Sequence, residues 1–228
     1  MTTTDTIQAA IELISHESAY PLFGLVNNAG IGISGVLEAT PETEFRKLLD
    51  VNVIGLHAVT RACLPLLRKT AGRIINIGSS ASFMAGPGAS SYSASKFAVR
   101  AISDSLRLEL QPFGMRVSLV APGAIESDIW EKAKVYKDEL RQSVTPELLE
   151  AYNFFITAGD NMVDAIRPIP ALEVAKAVAH GLTSKKPKFV YLVGNDAKKA
   201  YTLSTLPKRL VNWLVIKHIT NIVETSKE

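Results

Sequence analysis

Short apolar runs alternate with stretches of helical periodicity along most of the chain. Residues 21–26, 73–77, 117–121 and 189–193 form apolar or β-branched runs of strand length. Between these runs, apolar residues recur at the three- and four-residue spacing of amphipathic helices. The predicted helices cover residues 5–15, 40–69, 92–110, 171–182 and most of the chain from 196 onward. Buried strands separated by helices predict an α/β fold, a doubly wound parallel sheet with helices on both faces, in a single domain over residues 1–228.

The start of the second predicted helix carries clear signals. Thr40 supplies a capping hydroxyl, Pro41 fits the first helical position, and Glu42 places an acid in the first turn. Asn52 then falls inside this helix, where its side chain competes for backbone hydrogen bonds. Taken alone, Asn52 is best interpreted as a solvent-facing residue.

Composition narrows the class of protein. Apolar residues make up 47% and charged residues 21% of the 228, and the net charge is +3. These values are typical of a globular chain and give no indication of a nucleic-acid partner. The single cysteine, Cys63, fits a reducing compartment, so we expect a cytoplasmic protein. The chain start does not resemble a secretory signal, and no apolar stretch reaches the roughly 18 residues of a membrane span. The four histidines lack metal-ligand spacing, and we expect no metal site.

A glycine pattern after the first strand looks like a dinucleotide-binding fingerprint. Gly30, Gly32 and Gly35 match G-x-G-x-x-G. That motif needs a helix opening at the third glycine, so that helix N–H groups face the pyrophosphate. Here the helix signal begins only at Thr40. No acid ends a second strand about twenty residues further on, because Asp50 lies inside the predicted helix. We therefore reject the fingerprint.

Four other sites carry more information together than separately. The tetrapeptide 27–30, N-N-A-G, ends the first strand, and its small residues let a ligand approach the backbone. Ser79 follows the second strand, at the edge where α/β sheets bind ligands. Tyr92 and Lys96 are four residues apart on a helix and share one face. A cation beside a phenol favours the phenolate and lowers the pKa from its usual value of about 10. Each site alone is as well explained by an ordinary loop, turn or surface pair.

The combination resembles the short-chain dehydrogenase/reductase family. Its pattern is N-N-A-G, a helical Asn, a Ser thirteen residues before the Tyr of Y-x-x-x-K, and P-G after the next strand. Ser79 has that spacing to Tyr92, whereas Ser80 and Ser82 do not. The resemblance covers nearly the whole chain. The tail is similar to a branch that acts on steroids, retinol-like alcohols or short hydroxy acids.

The resemblance fails at the beginning of the chain. Family members open with a strand, a T-G-x-x-x-G-x-G turn and two further βα units before N-N-A-G, but here only 26 residues precede Asn27. At about 30 residues per βαβ unit, roughly two units are absent. The resemblance thus implies a Rossmann-like sheet that lacks its first βα units. The strand at residues 23–26, central in the family, would then be an exposed apolar edge.

The resemblance also implies a mechanism. Tyr92 would be the general acid/base at the substrate oxygen, and Ser79 would position that oxygen. Lys96 would lower the pKa of Tyr92 and hold the nicotinamide ribose, and Asn52 would hold a water linking Lys96 to solvent. The cofactor is NAD or NADP. Its implied contacts, besides Tyr92 and Lys96, are Asn27, Ala29, Gly30, Pro122, Gly123, Ile125 and Ser127.

The implied substrate is a secondary alcohol or ketone, and we expect a homo-oligomer. Residues 128–169 would form the substrate lid. Its aromatic residues suggest an apolar substrate, although helical aromatics more often belong to a core. They are Trp130, Tyr136, Tyr152, Phe154 and Phe155.

Two alternative functions stay open. An extended-type relative such as a sugar-nucleotide epimerase also uses Y-x-x-x-K, but it needs a C-terminal sugar domain for which the region after Lys96 is short. The other alternative is a truncated form that keeps the catalytic residues and binds cofactor poorly. An in-frame T-G-x-x-x-G-x-G upstream of Met1 would identify a longer natural enzyme.

The helical tail, residues 196–228, mixes apolar and basic positions. A basic amphipathic helix can lie in a membrane interface, so peripheral membrane contact is one hypothesis. Packing against the domain or a partner subunit is the commoner use of an apolar stripe. The apolar positions are Leu206, Leu210, Val211, Trp213, Leu214, Ile216 and Ile219, with Lys208, Arg209, Lys217 and His218 among them.

Overall fold

A single parallel sheet organises the molecule. The computed structural model describes residues 4–17, 19–127, 129–164 and 166–225. In these ranges the sheet has four strands in the order β1-β2-β3-β4, so each strand pairs with its neighbour in sequence. The predicted parallel sheet is confirmed. The strands are β1 (Gly24–Asn27), β2 (Arg73–Ile77), β3 (Arg116–Pro122) and β4 (Val190–Val193).

Helices connect the strands and occupy much of the second half. One feature was not predicted: α2 passes into α3 through a π-helical turn, Asp50–Gly55, within the single helix expected over 40–69. The predicted cap at Thr40 is wrong, because its hydroxyl donates to the Val36 carbonyl and Pro41 precedes the first helical residue. The helices are α1 (Thr4–Glu17), α2 (Glu42–Leu49), α3 (Leu56–Lys69), α4 (Ser90–Glu109), α5 (Ile129–Ser143), α6 (Pro146–Ala151), α7 (Asn153–Asp164), α8 (Ala171–Thr183), α9 (Asn195–Ser204) and α10 (Lys208–Thr225).

Alternation along the strands divides the core between the two faces of the sheet. Ile74 of β2 and Val117 of β3 face α3 and α4, where they pack with Leu67. Ile75 and Val120 face the opposite side, where α8 covers them. Apolar side chains on both faces explain why the strands are near-continuous hydrophobic runs. The prediction of helices on both faces is confirmed.

The first strand lies at the edge of the sheet. β1 pairs with β2 on one side, and no strand of the described ranges pairs with it on the other. Leu25 packs into the core beside α3, but Phe23 is 47% exposed and Val26 is 38% exposed. The predicted apolar edge is confirmed. Such an edge offers unpaired backbone groups to a further strand.

The predicted lid region is helical, and the tail packs onto it. Helices α5, α6 and α7 span most of residues 128–169, although residues 128 and 165 and the side chain of Trp130 lie outside the described part. Buried Ile219 and Val223 of α10 pack against Ala158 of α7. One face of the tail helix is therefore part of a core. No helix in the described ranges combines the length and apolarity needed to cross a membrane.

Candidate active site

Ser79 is held in a fixed position just beyond β2. Its backbone is extended (φ −166°, ψ 167°), and it caps a short 3₁₀ turn over Ser80–Ser82. The Ser79 hydroxyl accepts a hydrogen bond from the Ala81 N–H at 3.1 Å. The Ser82 hydroxyl accepts in turn from the Ser79 N–H at 3.1 Å. This reciprocal arrangement fixes the side chain at the carboxyl edge of the sheet.

Tyr92 reaches the same point from the first turn of α4. Its side chain is half-buried, and its phenol interacts with the Ser79 hydroxyl. Burial raises the pKa of the Tyr92 phenol above its usual value, and the interaction with Ser79 offsets part of this rise. Desolvation is the larger of the two effects, and the expected lowering of this pKa by Lys96 stays a prediction. The structure does bring Ser79 and Tyr92 together as the thirteen-residue spacing predicted.

Lys96 follows Tyr92 by one helical turn and is 7% exposed. Its Nζ donates to the Ile77 carbonyl at 3.1 Å and lies 5.8 Å from the centre of the Tyr92 ring. Burial lowers the pKa of Lys96 to about 8. An ammonium carries three N–H donors, so the bond to Ile77 leaves two of them for a ligand.

Asn52 lies in the π-helical turn and is 2% exposed, so the solvent-facing interpretation is wrong. Its Oδ1 accepts from the Ile31 N–H at 2.8 Å, and its Nδ2 donates to the Ile31 carbonyl at 2.9 Å. Nδ2 also donates to the Ser95 hydroxyl at 3.0 Å. π-Helical turns often mark functional sites, and here the turn lets one side chain hold the loop after N-N-A-G against α4. The implied water beside Lys96 stays a prediction.

The N-N-A-G segment divides into an anchored and an open part. Asn27 Nδ2 donates to Thr60 Oγ1 at 2.9 Å and to Asn76 Oδ1 at 2.8 Å, which ties β1 to α3 and β2. Ala29 and Gly30 are exposed. A Cβ at Gly30 would stand 3.3 Å from Asn52 Oδ1 and 3.6 Å from Lys96 Nζ. The missing side chain therefore keeps the approach to these two polar groups open.

The segment after β3 is positioned by neighbours that are distant in sequence. The Gly123 N–H donates to the Val193 carbonyl at 2.9 Å, directly after Pro122. Ile125 bridges to Ile169, and Ser127 is exposed. These residues line the carboxyl edge of the sheet, where their contact with a cofactor stays a prediction.

Asp196 is a site residue that sequence reasoning missed. Its Oδ2 accepts from the Ala124 N–H at 2.6 Å, and its Oδ1 accepts from the Ala197 N–H at 3.0 Å. A Cβ at Gly123 would stand within 2.0 Å of this carboxylate. The signal that could have found it is an acid in the first turn of a helix directly after a strand and a glycine.

A cavity of about 110 Å³ separates the lid from the loops at 34–36 and 87–88. The N–H of Gly35 donates to the Gly88 carbonyl at 2.8 Å, which joins those loops. No α-helix begins at Gly35, and α2 begins only at Glu42. The glycine pattern therefore lacks the helix that a dinucleotide-binding fingerprint needs. Most of the wall is apolar. The apolar lining residues include Val36, Leu140, Val144, Leu148, Phe155, Ile156 and Val163.

Two cations and one acid interrupt the apolar wall. Asp160 of α7 accepts from Lys137 at 2.5 Å and from Arg141 at 2.6 Å, both of them on α5. These bonds and charges outweigh desolvation and lower the pKa of Asp160. Tyr152 also donates to Glu38 at 2.9 Å, which fastens the lid to the loop before α2.

Comparisons with known proteins agree with this geometry. The family model described as short chain dehydrogenase matches residues 1–137. A 3-amino-tetrahydro-pyrrolizinone reductase of Xenorhabdus hominickii is 40% identical over 183 residues, 78% of this chain and 64% of that protein. Retinol dehydrogenase 7 of Mus musculus is 35% identical over 221 residues, 93% of this chain and 69% of that protein. The 17-beta-hydroxysteroid dehydrogenase type 6 of Bos taurus is 36% identical over 226 residues, 95% and 71% respectively.

Solved structures show the same fold. A short-chain dehydrogenase from Streptomyces avermitilis has a TM-score of 0.70 at 26% identity, covering 95% of this chain and 77% of that one. Aldohexose dehydrogenase of Thermoplasma acidophilum has a TM-score of 0.67 at 27% identity, covering 87% and 75%.

The chain belongs to the short-chain dehydrogenase family. The predicted family, its steroid and retinol branch, the Rossmann-like fold and the assignment to the oxidoreductases are confirmed at this level. The chain spans 64% of the length of the reductase and 69% to 71% of the two dehydrogenases named above.

Proposed function

We propose that this protein is an NAD(P)-dependent oxidoreductase that interconverts a secondary alcohol and a ketone. The observation that carries the proposal is the interaction between the Tyr92 phenol and the Ser79 hydroxyl, with buried Lys96 one turn further along α4. A transferable proton beside a hydroxyl donor, at the carboxyl edge of a parallel sheet, supports alcohol and carbonyl chemistry.

Proton handling is divided between two hydroxyl groups. In the reductive direction the Tyr92 hydroxyl gives its proton to the substrate oxygen, and the Ser79 hydroxyl donates a hydrogen bond that orients this oxygen. In the oxidative direction Tyr92 receives the proton. The raised pKa keeps Tyr92 protonated at neutral pH, which suits the donor role.

The described residues fit the nicotinamide half of the cofactor. The bound cofactor supplies or accepts the hydride. Lys96 offers two free N–H groups to ribose hydroxyls, and Gly30 leaves the approach to them open. A pyrophosphate needs backbone N–H groups at a helix N-terminus, and in the described part of the chain no glycine-rich turn precedes β1.

The substrate that we propose is an apolar alcohol or ketone. The cavity of about 110 Å³ under the lid is bounded mainly by aliphatic side chains and Phe155, which favour an apolar group, and its lining includes none of Asn52, Ser79, Tyr92 and Lys96. The names of two relatives, a retinol dehydrogenase and a 17-beta-hydroxysteroid dehydrogenase, support this class. We also propose a homo-oligomer, because exposed Trp213 and Ile216 give one face of α10 an apolar surface that a partner subunit could cover.

The test is turnover by a Tyr92→Phe variant. Oxidation of a 17β-hydroxysteroid, which is a secondary alcohol, is followed with NAD and with NADP, on the 228-residue chain and on the longest in-frame product of its gene. Loss of the transferable proton should lower kcat by about 10²- to 10⁴-fold. Tyr201→Phe is the matched control, because Tyr201 is partly exposed and contacts Phe83 through its ring. Wild-type turnover by Tyr92→Phe would refute the assignment.

A further inference from the structure

A groove lies at the end of the sheet opposite the candidate active site. It is bounded by the end of α4, the start of β3 and the segment before β4, and its volume is about 420 Å³. The seven residues of β3 separate Arg116 in this groove from Pro122 at the active-site edge. At about 3.3 Å per residue, the two places are roughly 20 Å apart.

Four cations line the groove: Arg107, Arg116, Lys185 and Lys186. Arg107 pairs with Asp104 at 2.8 Å. Among the described residues the other three form no ion pair, and no acid lines the groove. Three positive charges on one small surface therefore have no compensating anion in the part of the chain that the structure describes.

Arg107 also has an unused donor. Its Nε donates to the Val117 carbonyl at 3.3 Å, its Nη1 binds Asp104, and its Nη2 is buried without a hydrogen-bond partner. A buried N–H without an acceptor is unfavourable, and a shift of the Arg107 side chain toward the groove would let Nη2 meet an anionic oxygen.

Apolar surface adjoins the cations. Leu108 is 72% exposed and Phe189 is 63% exposed, although both belong to large hydrophobic residue types. The Arg107 guanidinium lies over the Phe189 ring at 4.8 Å from its centre. A hydrated inorganic ion would leave this apolar surface in water, whereas a ligand with an apolar body would cover it.

We propose that this groove binds a small amphipathic anion, with a phosphate or carboxylate head on the cations and an apolar body on Leu108 and Phe189. The groove volume lies in the range of small-molecule sites. The proposal is independent of the oxidoreductase function, because it uses neither the catalytic residues nor the lid cavity.

The experiment is calorimetric titration of the 228-residue chain with dodecyl phosphate, kept below its micelle-forming concentration at low salt. We expect saturable binding that is much tighter than binding of inorganic phosphate. The variant R116Q/K185Q should raise Kd by about fivefold or more, because each exposed charge contributes a few-fold. Leu108→Ser should weaken dodecyl phosphate and leave inorganic phosphate unchanged.

The matched control is K198Q/K199Q, which removes two exposed charges on α9 at the other end of the sheet. It should bind like the wild type, and circular dichroism should show all variants folded. Equal Kd values for R116Q/K185Q and the control would overturn the proposal. So would equal affinity for dodecyl phosphate and inorganic phosphate, or binding to phosphatidylserine vesicles through Arg116 and Lys185 without saturable binding of the monomeric anion.

Discussion

At the scale of single residues, the buried ammonium of Lys96 dominates the electrostatics of the site. Its one hydrogen bond in the described chain goes to a backbone carbonyl. Lys96 is almost fully enclosed and donates to Ile77, and burial lowers its pKa to about 8. Folding therefore disfavours its charged form. The ribose hydroxyls that we propose as ligands would replace part of the hydration that Lys96 loses.

The lowered pKa predicts a specific pH dependence of stability. Below pH 8 Lys96 is protonated in the folded and the unfolded chain. Between pH 8 and 10.5 the unfolded chain binds more protons, so the free energy of unfolding rises with pH. The difference in unfolding free energy between wild type and Lys96→Met should grow with pH from 8 to 10, by at most about 1.4 kcal/mol per unit. Urea denaturation at fixed pH values measures it.

The control for that measurement is Lys198→Met, which replaces an exposed lysine. It should follow the wild type across the same pH range. If the difference in unfolding free energy between the wild type and Lys96→Met did not change with pH, Lys96 would not be desolvated in the folded protein.

At the same scale, the sequence predicted which residues matter better than what they contact. The spacing selected Ser79 over Ser80, and Ser79 is the serine whose hydroxyl interacts with the Tyr92 phenol. Asn52 was unusual for a helix interior, but its partner Ile31 could not be read from a helical pattern. Lys96 was expected to lower the pKa of Tyr92. The hydrogen bond that its Nζ donates to the carbonyl of Ile77, at the end of β2, was not predicted.

At the scale of elements, the junction of β3, β4 and α9 holds the loop that carries the predicted cofactor contacts. Asp196 lies just after β4. Its carboxylate accepts a hydrogen bond from the Ala124 N–H, just beyond β3, and lies directly against Gly123. Because the two segments are 72 residues apart, no local pattern could show this contact.

This junction predicts strong coupling between Gly123 and Asp196. A Cβ at residue 123 must displace the carboxylate from the Ala124 N–H, so Gly123→Ala should lower the free energy of unfolding by about 1–3 kcal/mol. In an Asp196→Ala background the same change should cost little, giving a coupling of at least about 0.5 kcal/mol in a double-mutant cycle. Chemical denaturation of the four proteins measures the coupling.

Gly86→Ala is the matched control, since a Cβ there meets nothing within 4 Å. It should leave stability almost unchanged in both backgrounds. Additive effects of Gly123→Ala and Asp196→Ala would show that the carboxylate does not occupy this position in solution.

Element boundaries were most predictable where burial is complete. Residues 73–77 match β2 at both ends, because central strands of this kind are continuous β-branched runs. The division of the lid into α5, α6 and α7 was not predicted, since that region is mixed and polar. Its helices are fixed by contacts such as Lys137 with Asp160, which join distant parts of the chain.

At the scale of the molecule, the tail helix has two apolar faces with different surroundings. Val211, Ile219 and Val223 of α10 are buried, the last two against α7. Trp213 is 56% exposed and Ile216 is 47% exposed. The predicted packing of the tail on the domain is thus present on one face, and a second face is open to a membrane or a partner subunit.

The exposed face predicts binding to anionic vesicles. Trp213 with nearby Lys217, whose Nζ lies 5.0 Å from the ring centre, combines an interfacial aromatic group with a cation. We expect the chain to co-float with phosphatidylserine vesicles in a density gradient, and the variant W213S/I216S to lose most of this binding. Leu172→Ser, at an exposed apolar residue of α8, is the control and should still co-float. Absence of wild-type co-flotation would reject membrane contact and leave a partner subunit for this face.

The unpaired edge and the cofactor site are related features of the whole chain. β1 ends at the N-N-A-G segment, and its open side is where further strands of a Rossmann sheet would pair. In the described chain, the contacts available to a nicotinamide cofactor are thus those around Lys96 and Gly30.

Lys96 should contribute to the binding of NADH and NADPH, because it offers N–H donors beside the open approach at Gly30. Loss of a hydrogen bond from a charged donor, worth about 1.5–3 kcal/mol, should raise the Kd of Lys96→Met at least about tenfold. Calorimetric titration of the 228-residue chain and of the longest in-frame product of its gene measures this, with Lys198→Met as the control. Equal Kd values for Lys96→Met and the control would contradict the prediction.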